Sequence, residues 1–93
     1  AVAGRQVDAA IAFSSDGRIK AFGLKLLHDP KHAFPPYDAV LLLSRRAAAR
    51  PGVVDALRPL VGAIDQVRMQ EANRRVDVEK QSPKRAAEWL LRQ

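Results

Sequence analysis

Two short apolar runs, each bounded by turn residues, dominate the first half of the chain. The first covers residues 7–13 and leads into the polar turn Ser-Ser-Asp-Gly at 14–17. The second covers residues 37–43 and follows a pair of prolines. A short, nearly continuous apolar run between turn signals is typical of a strand that is buried on both faces. The pattern therefore predicts two strands, with a third strand candidate at residues 24–27.

Helical signals fill the chain after residue 44. Ser44, Asp65 and Ser82 are suited to cap helices, because a short side-chain oxygen can accept a hydrogen bond from an early backbone N–H group. Apolar residues then recur at helical spacing. The predicted helices cover residues 45–50, 52–61, 65–76 and 82–91. Residues 18–22 fit either a short helical turn or extended chain. Two or three strands followed by three or four helices indicate an α/β or α+β layer arrangement.

Composition indicates a small soluble domain. The chain has 93 residues, of which 47% are hydrophobic and 28% charged. No apolar run reaches the roughly 18–20 residues that a membrane-spanning helix needs, and residues 1–8 do not have the pattern of a signal peptide. These first residues are typical of the end of a preceding element, so we expect the chain to be a segment of a longer protein, either natural or engineered. It contains no cysteine, which excludes disulfides and thiolate chemistry.

The formal net charge of +6 raises the possibility of nucleic-acid binding. A helix-turn-helix could be formed by the predicted helices at 52–61 and 65–76, with Arg68, Arg74 and Arg75 facing phosphates or bases. The basic residues are spread along the whole chain, and acidic residues interrupt the basic face of the second helix. A small nucleic-acid-binding or regulatory domain is therefore the alternative function, and a solvated helix face is the simpler interpretation.

No enzyme signature is present. His28 and His32 are four residues apart, as two metal ligands on one helix can be, but Pro30 between them opposes a helix. Ser14 and Ser15 lack the Gly-x-Ser-x-Gly context of a hydrolase nucleophile. We therefore predict no enzymatic activity, no metal site and no cofactor.

Two aromatic residues, Phe13 and Tyr37, lie where the predicted strands meet loops, and a third, Phe34, lies in the loop before Tyr37. Open α/β folds bind ligands at such junctions, and aromatic faces attract cations, quaternary ammonium groups in particular. The two prolines before Tyr37 restrict its backbone and would orient one wall of a cation cage. From the residues alone, ordinary core packing is the other explanation for these rings, and both remain open.

The chain resembles the C-terminal third of the osmoprotectant-binding proteins, which are substrate-binding components of ABC importers for glycine betaine, choline and related quaternary amines. The resemblance covers essentially the whole chain, in order. Its motifs are Val-Asp-Ala-Ala-Ile-Ala-Phe-Ser-Ser-Asp-Gly-Arg-Ile from residue 7, Leu-x-x-Leu-x-Asp from 24, Phe-Pro-Pro-Tyr from 34, Leu-Arg-Pro-Leu-Val-Gly from 57, Met-Gln-Glu-Ala-Asn from 69, Val-Asp-Val from 76, Ser-Pro at 82, and Ala-Ala-Glu-Trp-Leu-Leu from 86.

This resemblance implies part of one lobe of a type II periplasmic-binding-protein fold, which closes on its ligand. It also implies that Phe13 and Tyr37 are two walls of an aromatic box for the cation, and that Ser15 contacts a ligand carboxylate or hydroxyl. Phe13 departs from the family tyrosine by lacking a hydroxyl group, so ligand preference is expected to differ. The implied partners are a quaternary amine and a membrane-embedded permease, and the implied location is periplasmic or otherwise extracytoplasmic.

The rest of the box and the opposite wall of the cleft are expected upstream of Ala1, so this chain would carry at most half of a site. Its two predicted strands would then lack neighbours, and an open apolar strand edge favours pairing with another copy. We accordingly expect the isolated chain to form a dimer or an oligomer that exchanges strands or helices. A related sensor or transporter-fused domain that recognises another ligand is a further possibility.

Overall fold

The computed structural model describes all 93 residues, and its regular secondary structure is entirely helical. The helices are α1 (Gly17–Ala21), α2 (Arg45–Ala48), α3 (Val53–Leu57), α4 (Gln66–Asp77) and α5 (Pro83–Leu91), and a 3₁₀ turn (Arg58–Leu60) directly follows α3. No helix is both long enough and apolar enough to span a membrane. The four predicted helical stretches are confirmed, and residues 18–22, which the sequence left open, belong largely to the helical turn α1.

Short polar side chains set where four of the helices begin. The hydroxyl of Ser44 accepts from the backbone N–H of Ala47, at 3.1 Å, and a carboxylate oxygen of Asp65 accepts from Arg68, at 2.8 Å. Ser82 caps α5 in the same manner, and Asp16 caps α1. These bonds satisfy N–H groups that have no partner within the helix. The three predicted caps are therefore confirmed, whereas the capping role of Asp16 was not anticipated.

The predicted strands at 7–13, 24–27 and 37–43 are not confirmed, since the structure contains no β-strand. The first and third segments contain strongly exposed aliphatic side chains, with Ile11 at 85% and Leu42 at 92% exposure. An apolar run predicts burial, but a strand also needs a neighbouring strand to pair its backbone N–H and C=O groups. Nothing within these 93 residues supplies that neighbour. The α/β assignment therefore stands for this chain only in its helical part.

The chain forms two compact units, and the first contains residues 1–27 and 65–93. Within it, α4 packs against both α1 and α5. The buried side chains Ile19, Ala72 and Ala86 come one from each of these helices. Two of them are alanines, so the three helices approach closely around a very small core.

The second unit contains residues 28–64 and includes α2, α3 and the 3₁₀ turn. It has no fully buried side chain. Its best-covered apolar residues are Leu43, Ala47, Val53 and Leu57, which are half-buried. Its N-terminal part, residues 28–44, is irregular and contains Tyr37.

Candidate functional site

The turn that joins the first apolar segment to α1 is held by two side chains of α4. The side-chain amide of Gln70 donates to the carbonyl oxygen of Ser14, at 2.5 Å. One turn further along α4, the side-chain amide of Asn73 donates to the carbonyl oxygen of Ser15, at 2.8 Å. Within the turn, the backbone N–H of Asp16 donates to the carbonyl of Phe13, at 3.0 Å. Three consecutive carbonyl groups, at residues 13–15, are therefore hydrogen-bonded.

Two of the three predicted ligand-binding residues belong to this turn. The side chain of Phe13 is 65% exposed, and Ser15 is half-buried. An exposed aromatic ring costs free energy in water, so a ring displayed by a well-held turn is suited to contact a ligand. Phe13 is accordingly exposed to solvent, and it is not a core residue of this chain.

Beneath the turn, α1 and α4 are in backbone contact. A Cβ atom placed on Gly17 would lie 2.6 Å from the carbonyl carbon of Asn73, and closer still to the backbone of Arg74. Only glycine permits this approach. The contact places the N-terminus of α1, and with it the turn, directly against the middle of α4.

A carboxylate on α4 connects the same two helices. Glu71 accepts from the ammonium group of Lys20 in α1, at 3.0 Å, and from the guanidinium groups of Arg74 and Arg75, at 2.9 and 3.1 Å. The Glu71 side chain is only 12% exposed. The hydrogen bonds from Arg74, assisted by that of Lys20, lower the pKa of Glu71 from 4.5 to about 2.

The two arginines that pair with Glu71 also make contacts towards α5. The guanidinium of Arg75 lies over the ring of Trp89, 4.4 Å from its centroid, in a cation–π contact. Arg74 also pairs with Glu79, at 2.7 Å. Arg68, the third arginine of the helix-turn-helix alternative, pairs with Asp65 at 3.4 Å. All three arginines are thus matched with carboxylates, which removes the unpaired basic face on which that alternative depends.

Tyr37, the third predicted ligand-binding residue, lies in the second unit and is 83% exposed. A turn that precedes it is organised by Asp29, whose carboxylate accepts from the backbone N–H groups of Phe34, at 2.8 Å, and Ala33, at 3.0 Å. These two donors lower the pKa of Asp29, that of Phe34 having the larger effect. His32 lies inside this turn with a φ of 50°.

The structure therefore brings Phe13 and Ser15 together on one turn and places Tyr37 on a separate loop. Sequence reasoning did not assign roles to the residues that hold these segments, which are Gln70, Asn73 and Asp29. Their signals were present, since all three fall in motifs that carried the family resemblance. His28 and His32 do not join any group of three potential metal ligands.

Comparison with known proteins assigns the sequence of this chain to a family. The model of the substrate-binding domain of ABC-type glycine betaine transport systems matches residues 1–93. The chain belongs to that family. The family predicted from the sequence motifs is thereby confirmed.

The curated relatives are named for the small molecules that they bind. A glycine-betaine-binding protein of Pseudomonas aeruginosa is 35% identical over 100% of this chain and 30% of its own length. The carnitine transport binding protein OpuCC of Listeria monocytogenes is 36% identical over 98% of the chain and 30% of its own length. The ergothioneine transport permease/ergothioneine binding protein EgtU of Helicobacter pylori is 33% identical over 92% of the chain and 16% of its own length. The chain thus spans about 30% of the length of the first two. No solved structure gives a significant match.

Proposed function

We propose that this chain is part of the substrate-binding component of an ABC importer for glycine betaine or a related quaternary amine. The observation that carries the proposal is the exposed ring of Phe13, displayed by a turn whose carbonyl groups are fixed, in a chain that belongs throughout to the glycine betaine family. The relatives bind glycine betaine, carnitine and ergothioneine by name. All three ligands carry a quaternary ammonium group and a carboxylate.

The chemistry of recognition follows from that ligand class. A quaternary ammonium group has a positive charge but no hydrogen-bond donor, so aromatic faces stabilise it better than polar groups do. Phe13 and Tyr37 are the proposed cation-binding rings, and a desolvated contact of this type contributes about 2 kcal/mol. Ser15 is the proposed polar contact, donating its hydroxyl hydrogen to the carboxylate of the ligand.

Phe13 gives this protein a ligand preference of its own. Its ring can attract the cation only through its π face, because it has no hydroxyl group. We therefore expect selection at this position to depend on the size and charge of the ammonium group rather than on a hydrogen bond.

The whole protein is proposed to be a non-enzymatic, extracytoplasmic binding protein with the two-lobed periplasmic-binding-protein fold. It would deliver its ligand to a membrane-embedded permease after the lobes close. The rest of the protein would supply the remaining box residues and the strands that pair with segments 7–13 and 37–43.

Isothermal titration calorimetry on the full-length protein tests this function. A panel of glycine betaine, choline, carnitine and ergothioneine should include at least one ligand that binds with micromolar affinity or better. If none of the four produces a heat of binding, the quaternary-amine function is wrong. Retention on heparin that weakens steeply with salt would favour the nucleic-acid alternative instead.

The 93-residue chain by itself is proposed to self-associate. An open apolar pocket of about 360 Å³ lies within the second unit, lined mainly by Val40, Leu41, Leu60, Val61 and Ile64. The adjoining extended segment leaves Val40 80% and Leu42 92% exposed. Exposed apolar segments of this kind favour strand or helix exchange between copies. Light scattering should report a dimer or larger species at micromolar concentration, whereas a strict monomer would refute self-association.

A further inference from the structure

Helix α4 presents two amide side chains to the turn that carries Phe13 and Ser15. Gln70 and Asn73 are three positions apart, so they project from the same face of the helix. Their partners are consecutive carbonyl groups, those of Ser14 and Ser15. The two bonds join positions that are 56 and 58 residues apart in the sequence. Helix α4 thus holds this turn in place, although the two are far apart in the sequence.

These two hydrogen bonds control the orientation of the peptide groups around Ser15. A carbonyl group shares a rigid plane with the following N–H group. Fixing the carbonyls of Ser14 and Ser15 therefore fixes the two peptide planes on either side of Ser15, and with them the direction of its Cα–Cβ bond. The bond from the N–H of Asp16 to the carbonyl of Phe13 extends the constraint to the aromatic residue. Without the α4 amides, these planes could rotate and bond to water instead.

Helix α4, which holds the turn, is itself packed tightly against α1. Gly17, immediately after the turn, contacts the backbone of α4 at Asn73 and Arg74. The ion pair between Lys20 and Glu71 lies further along α1, away from the turn, and adds to the stability of the helix contact without touching the turn. The amides of α4 therefore act from a surface that cannot move independently of α1. A support that is fixed in this way can hold binding groups within the narrow tolerance that recognition requires.

We propose that Asn73 and Gln70 are positioning residues for ligand binding, which act through the carbonyl groups of Ser15 and Ser14 and do not touch the ligand. This inference rests on the proposed binding of quaternary amines. Loss of either amide should leave the fold intact, but it should let the turn adopt orientations that cannot bind the ligand. The affinity is then reduced by the fraction of molecules in the competent orientation.

The test measures glycine betaine affinity by calorimetry in the full-length protein, at a temperature where circular dichroism shows every variant to be fully folded. Under that condition, a change in Kd cannot arise from unfolding. Asn73→Ala and Gln70→Ala should each weaken binding by about 10-fold. The matched control is Lys20→Met, which removes an ion pair from the same helix contact but leaves the turn bonds in place. It should lower the melting temperature without changing Kd.

Asn73→Asp provides a readout that a merely structural role would not change. At neutral pH its carboxylate cannot donate to the Ser15 carbonyl, so binding should be at least as weak as in Asn73→Ala. At a pH below the carboxyl pKa, the protonated acid can donate again, and the affinity should move back towards the wild-type value measured at the same pH. If Asn73→Ala and Asn73→Asp both bind glycine betaine with wild-type affinity, the inference is wrong.

A nuclear magnetic resonance measurement keeps this inference separate from the proposed function. Backbone ¹⁵N order parameters at Ser15 and Asp16 should fall in Asn73→Ala but not in Lys20→Met. If the wild-type protein binds none of the quaternary amines, the function is wrong, and the ligand role of Asn73 and Gln70 is wrong with it. If the wild-type protein binds but the order parameters and the Kd of Asn73→Ala are unchanged, only the positioning role is wrong.

Discussion

Gly17 and Asn73 are in backbone contact, since a Cβ atom on Gly17 would stand 2.6 Å from the carbonyl carbon of Asn73. No real side chain tolerates that distance, so the contact between α1 and α4 depends on a hydrogen atom at this one position. The side chain of the same Asn73 donates to Ser15. One residue of α4 thereby fixes both the start of α1 and the turn that precedes it.

Gly17→Ala should therefore destabilise the full-length protein. The added methyl group must push α1 away from α4, and overpacking of this kind costs about 1–3 kcal/mol. Chemical denaturation should show this loss in the free energy of unfolding. Gly4→Ala is the matched control, because a Cβ atom there meets nothing closer than 3.7 Å. Equal stability of the two variants would mean that the close approach is absent in solution.

Glu71 should make stability depend on acid pH. Its pKa is lowered from 4.5 to about 2, mainly by Arg74, so the folded state favours the ionised form. The resulting stabilisation is present above pH 4.5 and is lost as the pH falls towards 2. We expect about 1–2 kcal/mol, less than the full shift implies, because the Lys20 partner is 48% exposed and is screened by solvent.

The measurement for Glu71 compares the wild-type protein with Glu71→Gln by denaturation at several pH values. The variant is nearly isosteric but cannot ionise. The difference in unfolding free energy should be largest at neutral pH and should shrink between pH 5 and about pH 2. A difference that does not vary with pH would contradict the assignment of Glu71 as the charged partner of Lys20 and Arg74.

Asp29 should control the order of the loop that leads to Tyr37. Its carboxylate holds the N–H groups of Ala33 and Phe34, so Asp29→Ala should speed amide hydrogen exchange at both positions. Asp38→Ala is the control, because it removes a negative charge from the same unit without breaking either bond. Exchange rates that match in the two variants would show that Asp29 does not organise this loop.

The two proposed cage rings should matter individually for binding. In the full-length protein, Phe13→Ala and Tyr37→Ala should each weaken glycine betaine binding by roughly 30-fold, which corresponds to about 2 kcal/mol. Phe22→Ala removes an exposed ring that is 54% accessible and lies outside the proposed site, and it should leave Kd unchanged. A similar loss in all three variants would point to a general effect on folding, and no loss in the first two would exclude the cage.

Local signals predicted the helices, whereas the strands depended on information that the chain does not contain. Ser44, Asp65 and Ser82 form their capping bonds within three residues, so a single sequence is enough to identify them. A strand at 37–43 needs a neighbouring strand for backbone pairing, and its apolar pattern indicates only that its side chains are buried. The proposed cation-binding rings of Phe13 and Tyr37 could likewise be chosen from the sequence, because they are aromatic residues.

The support of the turn that carries Phe13 could not be predicted, because it depends on contacts across long sequence separations. Asn73 lies 58 positions from Ser15, and nothing in the local pattern around either residue indicates that they meet. The same holds for Lys20 and Glu71, which are 51 positions apart. Helical periodicity predicted helix α4, but it could not assign functions to the polar residues of that helix.

The central claim is that the protein binds its ligand through the positive charge of a quaternary ammonium group. The direct measurement is calorimetric titration of the full-length protein with glycine betaine and with 3,3-dimethylbutanoate, which replaces the ammonium nitrogen by carbon and keeps the shape and the carboxylate. Two cation–π contacts predict binding of glycine betaine that is at least 100-fold tighter, or about 2.7 kcal/mol. Equal affinities for the two compounds would contradict the aromatic-cage account.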